Sequence, residues 1–196
     1  MDTKGRILIV AKKEFILNGY ANASLRKIAD ECNISATALY RHFKNKEAIF
    51  DAVLEPLVNK FNSISKEVEQ LDYELLKENR LDEVWSIENN QSFHFELLFA
   101  ENMDLVKLAV KERKEWFKRL ILDVEKESTY KYLDKMRDIG YNIKDFNKIA
   151  FESLMDSYLE AYINLLKLNV AKEELLEICK VINEFYTVGF RNMLGF

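Results

Sequence analysis

The segment from Ser24 to Glu47, Ser-Leu-Arg-Lys-Ile-Ala-Asp-Glu-Cys-Asn-Ile-Ser-Ala-Thr-Ala-Leu-Tyr-Arg-His-Phe-Lys-Asn-Lys-Glu, constrains this chain more than any other. It reads as two short helices around a tight turn. Leu25, Ile28 and Ala29 fall on one side of the first helix at three- and four-residue spacing, and Arg26, Lys27, Asp30 and Glu31 point elsewhere. Ala29 is small enough to let a crossing helix come close. Asn33 stands where the chain must reverse, and Asn tolerates the left-handed conformation a helix end of that kind needs. The first helix is therefore expected to stop at about Cys32. Ile34 can plug the corner, and Ser35 is a good N-cap for the second helix because its oxygen can accept from the unpaired N–H groups of the next turn. In that second helix Leu39 and Phe43, four apart, face a core, leaving Ala36, Thr37, Tyr40, Arg41 and His42 outward. These choices together describe a helix-turn-helix.

In these positions the chain resembles the TetR family of transcriptional regulators. In that family a first helix ends in Gly plus an aromatic, Thr or Ser opens the second, and Tyr-x-His-Phe-x-x-Lys closes the recognition helix and begins the fourth. Here the matching residues are Gly19-Tyr20, Ser24, and Tyr40-Arg41-His42-Phe43-Lys44-Asn45-Lys46. The resemblance covers about the first quarter of the chain. Two positions depart from the family pattern: Asn33 stands where the turn commonly has Gly, and Thr37 where the recognition helix often has a small residue. Asn33 is a physically adequate substitute, whereas Thr37 puts a methyl and a hydroxyl near the groove and leaves the preferred DNA sequence open.

The rest of the composition fits an all-α chain. One proline and five glycines in 196 residues favour long uninterrupted helices over strands with tight turns. A 48% hydrophobic content is ample for a core. The expected architecture is an N-terminal three-helix helix-turn-helix DNA-binding domain, residues 1–46, followed by a helical ligand-binding and dimerisation domain, residues 47–196. Thr3 is expected to cap a first helix with Ile7, Ala11 and Phe15 inward, ending at Gly19. Lys46 and Glu47 open a long fourth helix that Pro56 should bend. Several shorter helices are expected over residues 72–145, with polar breaks around Glu88 to Gln91, Asn102 and Gly140 to Asn142. Two final helices are expected at about 145–168 and 172–193.

Charge is unevenly spread. Residues 1–50 carry nine Lys/Arg against five Asp/Glu, while the remainder is net acidic and the whole chain carries −4. A basic head on an acidic body suits one end docking on phosphates. Ser24 and Lys46 stand at helix starts, where a phosphate is favoured, and Tyr40 and His42 can donate to phosphate oxygens, a role the family resemblance also implies. Ala36, Thr37 and Arg41 are the candidate base readers, Ala or the Thr methyl for a thymine methyl and Arg for guanine. Arg26 and Ser35 complete the candidate DNA contacts. One short recognition helix reads few base pairs, so the expected partner is double-stranded DNA with an inverted-repeat operator, bound by a homodimer.

The last two helices carry more apolar surface than one hairpin buries, which suggests a four-helix dimer interface with Tyr162, Leu166, Ile182 and Phe185 as candidates; an intramolecular core is the competing use of the same stripe. The family resemblance implies a small-molecule effector pocket among the middle helices, and Trp85, Phe99, Trp116 and Tyr158 are the candidates for lining it. The effector itself is not legible.

Catalysis is not expected. The chain has no Gly-rich phosphate loop and no Glu-x-x-His pair, and its two histidines lie fifty-two positions apart. Cys32 and Cys179 lack metal-site spacing, so no metal or cofactor is expected. The Ile7 to Ala11 run is too short for a signal or membrane segment, and a cytoplasmic protein is expected. The alternative reading is a helical interaction module or ligand-binding protein that does not bind DNA.

Overall fold

The structure, a computed structural model, describes residues 2–84, 101–168 and 171–195. The described residues form α1 (Thr3–Asn22), α2 (Leu25–Glu31), α3 (Ala36–His42), α4 (Lys46–Lys77), α5 (Leu81–Val84), α6 (Met103–Asp138), α7 (Lys148–Leu165) and α8 (Lys172–Leu194), with no strand among them. They group into two compact units. The first comprises the chain up to Lys60 together with Asp104–Lys114, and the second the rest.

In the first unit α1 is capped by Asp2, whose carboxylate accepts from the Gly5 N–H at 2.8 Å. This corrects the expected cap: Thr3 is the first helical residue, and a carboxylate one position earlier both satisfies an orphan donor and suits the positive end of the helix. Ile7, Ala11 and Phe15 are fully buried, as the four-residue spacing requires. The helix breaks at Gly19, which has φ 74° and ψ 168° before the chain continues to Ala23. An aromatic cluster follows from that turn, with the Phe50 ring edge-on to Phe15 at 5.1 Å and to Tyr20 at 5.0 Å. Ile28, Leu39, Ile49 and Leu54 close the core.

α4 continues beyond Pro56 to Lys77, since a proline removes only one helical donor when the flanking turns stay helical, and its residues from Phe61 onward belong to the second unit. Of the several shorter helices expected over residues 72–145, the described residues show the end of α4, the short α5, and two helical runs that meet at a break at Arg113 to form the 36-residue α6. Its Lys, Glu and Arg content reads as polar interruption but consists of good helix formers. The expected breaks at Asn102 and Gly140 lie at its two ends, where Gly140 takes φ 96°. The break expected at Glu88 to Gln91 falls outside the described residues. The core gathers Leu76, Leu133, Met136, Phe151 and Leu194. Phe151 sits against Phe146 at 4.9 Å and Phe190 at 5.1 Å. Asn147 caps α7 by accepting from the Ala150 N–H at 3.0 Å.

Gly19 has a backbone conformation open essentially only to glycine, and an added Cβ would also lie 2.9 Å from Glu112 Oε1, the movable end of a long side chain. Gly19→Ala is expected to destabilise the protein by about 1–3 kcal/mol in urea unfolding. An unchanged midpoint would mean the turn relaxes without strain.

Candidate nucleic-acid interface

The turn between α2 and α3 is built from its own backbone. Asn33 takes φ 53°, its N–H donates to the Asp30 carbonyl at 3.0 Å, and the Ile34 N–H donates to the Ala29 carbonyl at 3.0 Å. Ala29 is buried at the crossing, as its size allows. The Ser24 hydroxyl oxygen caps α2 by accepting from the Lys27 N–H at 3.3 Å, and Ser35 caps α3 by accepting from the Ala38 N–H at 3.1 Å.

Leu39 and Phe43 are buried and pin one side of α3 to the core. Ala36, Thr37, Tyr40, Arg41 and His42 are all exposed to solvent, Tyr40 at 53%, with Thr37, Tyr40 and Arg41 turned away from the core and Ala36 and His42 on the flanks. Ser24, Arg26 and Ser35 are exposed as well. The face is thus one continuous set of hydroxyl, guanidinium, imidazole and small apolar groups that can meet phosphates and base edges. Lys46 differs from the others. It is half-buried, its ammonium donates to the Ala21 carbonyl at 2.9 Å, and it lies 5.0 Å from the centre of the Tyr20 ring. The cap of α4 is Asn45, whose side-chain oxygen accepts from the Ala48 N–H at 2.8 Å.

Sequence reasoning missed the group that ties α1 to the helix-turn-helix. Glu14 is buried, and its carboxylate accepts from the Ser24 N–H at 3.2 Å and the Lys27 ammonium at 2.7 Å. The Lys27 hydrogen bond holds its pKa below the usual carboxylate range against the opposing effect of burial. The signal was present: position 14 falls on the same inward stripe as 7, 11 and 15, where an acid needs a partner.

In the second unit Trp116 is partly exposed, while Trp85 and Phe99 lie outside the described residues. Tyr158 is half-buried between α7 and α8, with its hydroxyl 3.1 Å from that of Tyr162 and donating to Asn183 Oδ1 at 3.4 Å. Tyr162 is buried inside its own chain and donates to the Cys179 carbonyl at 3.4 Å. Leu166 and Ile182 are half-buried, and Phe185 is 74% exposed. Around Phe185 lies an outward apolar face that the sequence did not separate from the core: Val181 and Val188 on α8, with Leu154 on α7, line one shallow groove with it.

The second unit also holds two carboxyls without a hydrogen bond to one oxygen each, Asp72 Oδ1 and Glu125 Oε1, both shielded from solvent. Burial, reinforced by the Glu69 charge, raises the Asp72 pKa to about 7. Burial, reinforced by the Asp72 charge, raises that of Glu125 to about 8.

The described residues are thus helical, and those of the first unit present a helix-turn-helix with one helix exposed to solvent. Residues 7–53 match the model of the bacterial regulatory proteins, tetR family. The HTH-type transcriptional regulator UidR of Escherichia coli strain K12 is 42% identical over 52 residues, 26% of this chain and 26% of UidR. The chain therefore matches about a quarter of that relative's length. The HTH-type transcriptional regulator YerO of Bacillus subtilis is 26% identical over 180 residues, covering 89% of this chain and 61% of YerO. A transcriptional regulator from Aquifex aeolicus shares the fold with a TM-score of 0.62 at 21% identity, over 94% of this chain and 99% of that one. Over residues 7–53 the chain is thus similar to the bacterial regulatory proteins of the tetR family, and the likeness over the rest of its length is one of fold. Among the described residues no helix is long and apolar enough to cross a membrane.

The pH dependence of these two half-buried carboxyls has a definite sign. Each keeps its proton to a higher pH in the folded chain than in the unfolded one, so their stabilising contribution falls as pH rises from about 4 through 8. The double variant Asp72→Asn/Glu125→Gln is expected to match the parent's melting temperature near pH 5. At pH 9 it should exceed the parent by at least about 2–4 °C, equivalent to roughly 1 kcal/mol in a chain of this size. A difference that stays constant between the two pH values would show that the carboxylates are compensated when charged.

Proposed function

We propose that the chain is a ligand-responsive dimeric repressor that reads an inverted-repeat operator through α3. The observation that carries this reading is the single exposed face of α3, Ala36, Thr37, Tyr40, Arg41 and His42, fixed from behind by buried Leu39 and Phe43. Tyr40 and His42 donate to phosphates, and Ser24 and Ser35 reach the same backbone with their hydroxyls. Arg26 adds a charge beside them. Ala36, Thr37 and Arg41 read base edges. Lys46 spends one donor on Ala21, and its other two N–H groups serve a phosphate. In this reading residues 1–46 form the DNA-binding domain and residues 47–196 the part that binds the effector and dimerises.

Two copies are required because one short helix reads too little DNA to be selective. The outward apolar face of α7 and α8 supplies the interface, with Phe185 at its centre and Leu154, Val181 and Val188 around it. Of the residues expected there, Phe185 serves directly, Ile182 and Leu166 are half-buried, and Tyr162 supports α8 from within. The effector is a small molecule held in the second unit, with Trp85, Phe99, Trp116 and Tyr158 as its expected contacts. It acts by binding one state of the dimer more tightly than the other, since equal affinity for both shifts nothing. The working compartment is the cytoplasm.

Selection from a random double-stranded DNA pool tests this reading. An inverted repeat is expected, bound with strongly salt-dependent affinity. Tyr40→Ala should weaken all retained sequences roughly alike, and Thr37→Ala should change which sequences are retained; Tyr40→Ala binding with unchanged affinity would remove the phosphate assignment. A folded dimer that enriches no sequence in the absence of effector would instead favour a helical module that does not bind DNA.

Phe185→Glu places a charge in the centre of the apolar face. It is expected to yield monomers in sedimentation velocity, whereas an intact dimer would move the interface elsewhere.

A further inference from the structure

Residues 104–114 lie far from the helix-turn-helix in sequence yet fold into the first unit. α6 is not regular there. Arg113 takes φ −147° and ψ 51°, outside the helical region, within a helix that continues on both sides. The local sequence, Lys111-Glu112-Arg113-Lys114-Glu115, has neither proline nor glycine, so no residue at the break demands it. The break coincides with a set of contacts made by the Arg113 side chain. Its Nη1 donates to Asp51 Oδ1 at 2.6 Å, Nη2 donates to Glu47 Oε1 at 3.4 Å, and the guanidinium carbon lies 4.9 Å from the centre of the Phe50 ring.

Positions 47, 50 and 51 form one face of the opening turns of α4. Phe50 packs edge-on to Tyr20 at 5.0 Å, and the Tyr20 ring lies beneath the Lys46 ammonium that bonds the end of α1. Contacts therefore run without interruption from Arg113 through Phe50 and Tyr20 to the junction where α3 gives way to α4. Arg113 also neutralises two carboxylates that would otherwise repel DNA phosphates next to Lys46. A guanidinium can bind two carboxylates while stacking on a ring, and a lysine ammonium cannot reproduce that fork.

We infer that Arg113 is a positioning residue for DNA binding: it touches no DNA, and it sets the orientation and charge of the first turns of α4 on which the recognition helix depends. This rests on the DNA-binding reading above. The test uses the full chain and an operator fragment recovered with the parent protein, with dissociation constants measured across a series of salt concentrations. Arg113→Gln is expected to weaken operator and random DNA alike, about three- to tenfold. Arg113→Lys should recover only part of the loss. The dependence of log Kd on log salt should keep the parent slope, because Arg113 displaces no counterion itself.

The charge exchange Arg113→Asp/Asp51→Arg should regain most of the affinity that Arg113→Asp loses. That rescue separates positioning from a loss of fold, which circular dichroism and the melting temperature monitor in every variant. A folded Arg113→Gln variant binding within twofold of the parent overturns the inference. So does a slope reduced by about one, which would mean that Arg113 contacts a phosphate. If the single variants do not fold, failure of the charge exchange to restore binding overturns it as well. A parent protein that binds no DNA fails earlier and distinguishably, at the operator selection, and takes this inference with it.

Discussion

Burial of Leu39 and Phe43 is the constraint on which the rest of the head depends. With two inward residues four apart, α3 has only one rotation about its axis that satisfies the core, and that rotation presents Ala36, Thr37, Tyr40, Arg41 and His42 on the outside. Every chemical role argued for α3 follows from this fixed rotation. A short helix has little stability of its own, so the packing that orients it also keeps it helical. The caps Ser24 and Ser35 and the left-handed Asn33 set where α2 and α3 begin and end.

The head is held by few polar ties, each in a place where an apolar contact could not specify direction. Glu14 bridges the interior side of α1 to the start of α2 through a backbone N–H and the Lys27 ammonium, which fixes the angle at which α2 leaves. A hydrogen-bonded carboxylate at a buried position is costly to misplace, and that cost makes the arrangement unique. Arg113 does the corresponding work for α4, from a segment that reaches the head only through the tertiary fold.

The second unit shows the same division between apolar bulk and directed polar contacts. Between α7 and α8 the Tyr158, Tyr162 and Asn183 side chains form a chain of hydrogen bonds, continued by Thr187 donating to Asn183 Oδ1 at 2.9 Å. Lys118 meets Asp156 at 2.9 Å, and Lys126 meets Glu152 at 3.0 Å, joining α6 to α7. Such contacts fix the register of the helices, and aromatic packing around Phe151 supplies most of the burial. Against this background Val181, Phe185 and Val188 stand out as apolar surface exposed among the described residues.

The helix-turn-helix was legible in the sequence because its determinants are local. Helix caps, a left-handed turn residue and a pair of inward residues four apart act within a few positions of one another, so α2, the turn and α3 could be drawn to within a residue. The scarcity of proline and glycine likewise determined a helical chain. What depended on distant partners was not legible. Residues 175, 179 and 183 form one face of α8 and 181, 185 and 188 another, and both carry apolar groups; only packing against α7 decides that Leu175 and Cys179 turn inward and Phe185 outward. The α6 charge run reads as interruption until Lys118 and Lys126 find carboxylate partners on α7. Arg113 sits in that run with nothing local to distinguish it, since its role is created by two carboxylates more than sixty positions earlier. Periodicity names the faces of a helix, and only the tertiary fold decides which of them meets a partner.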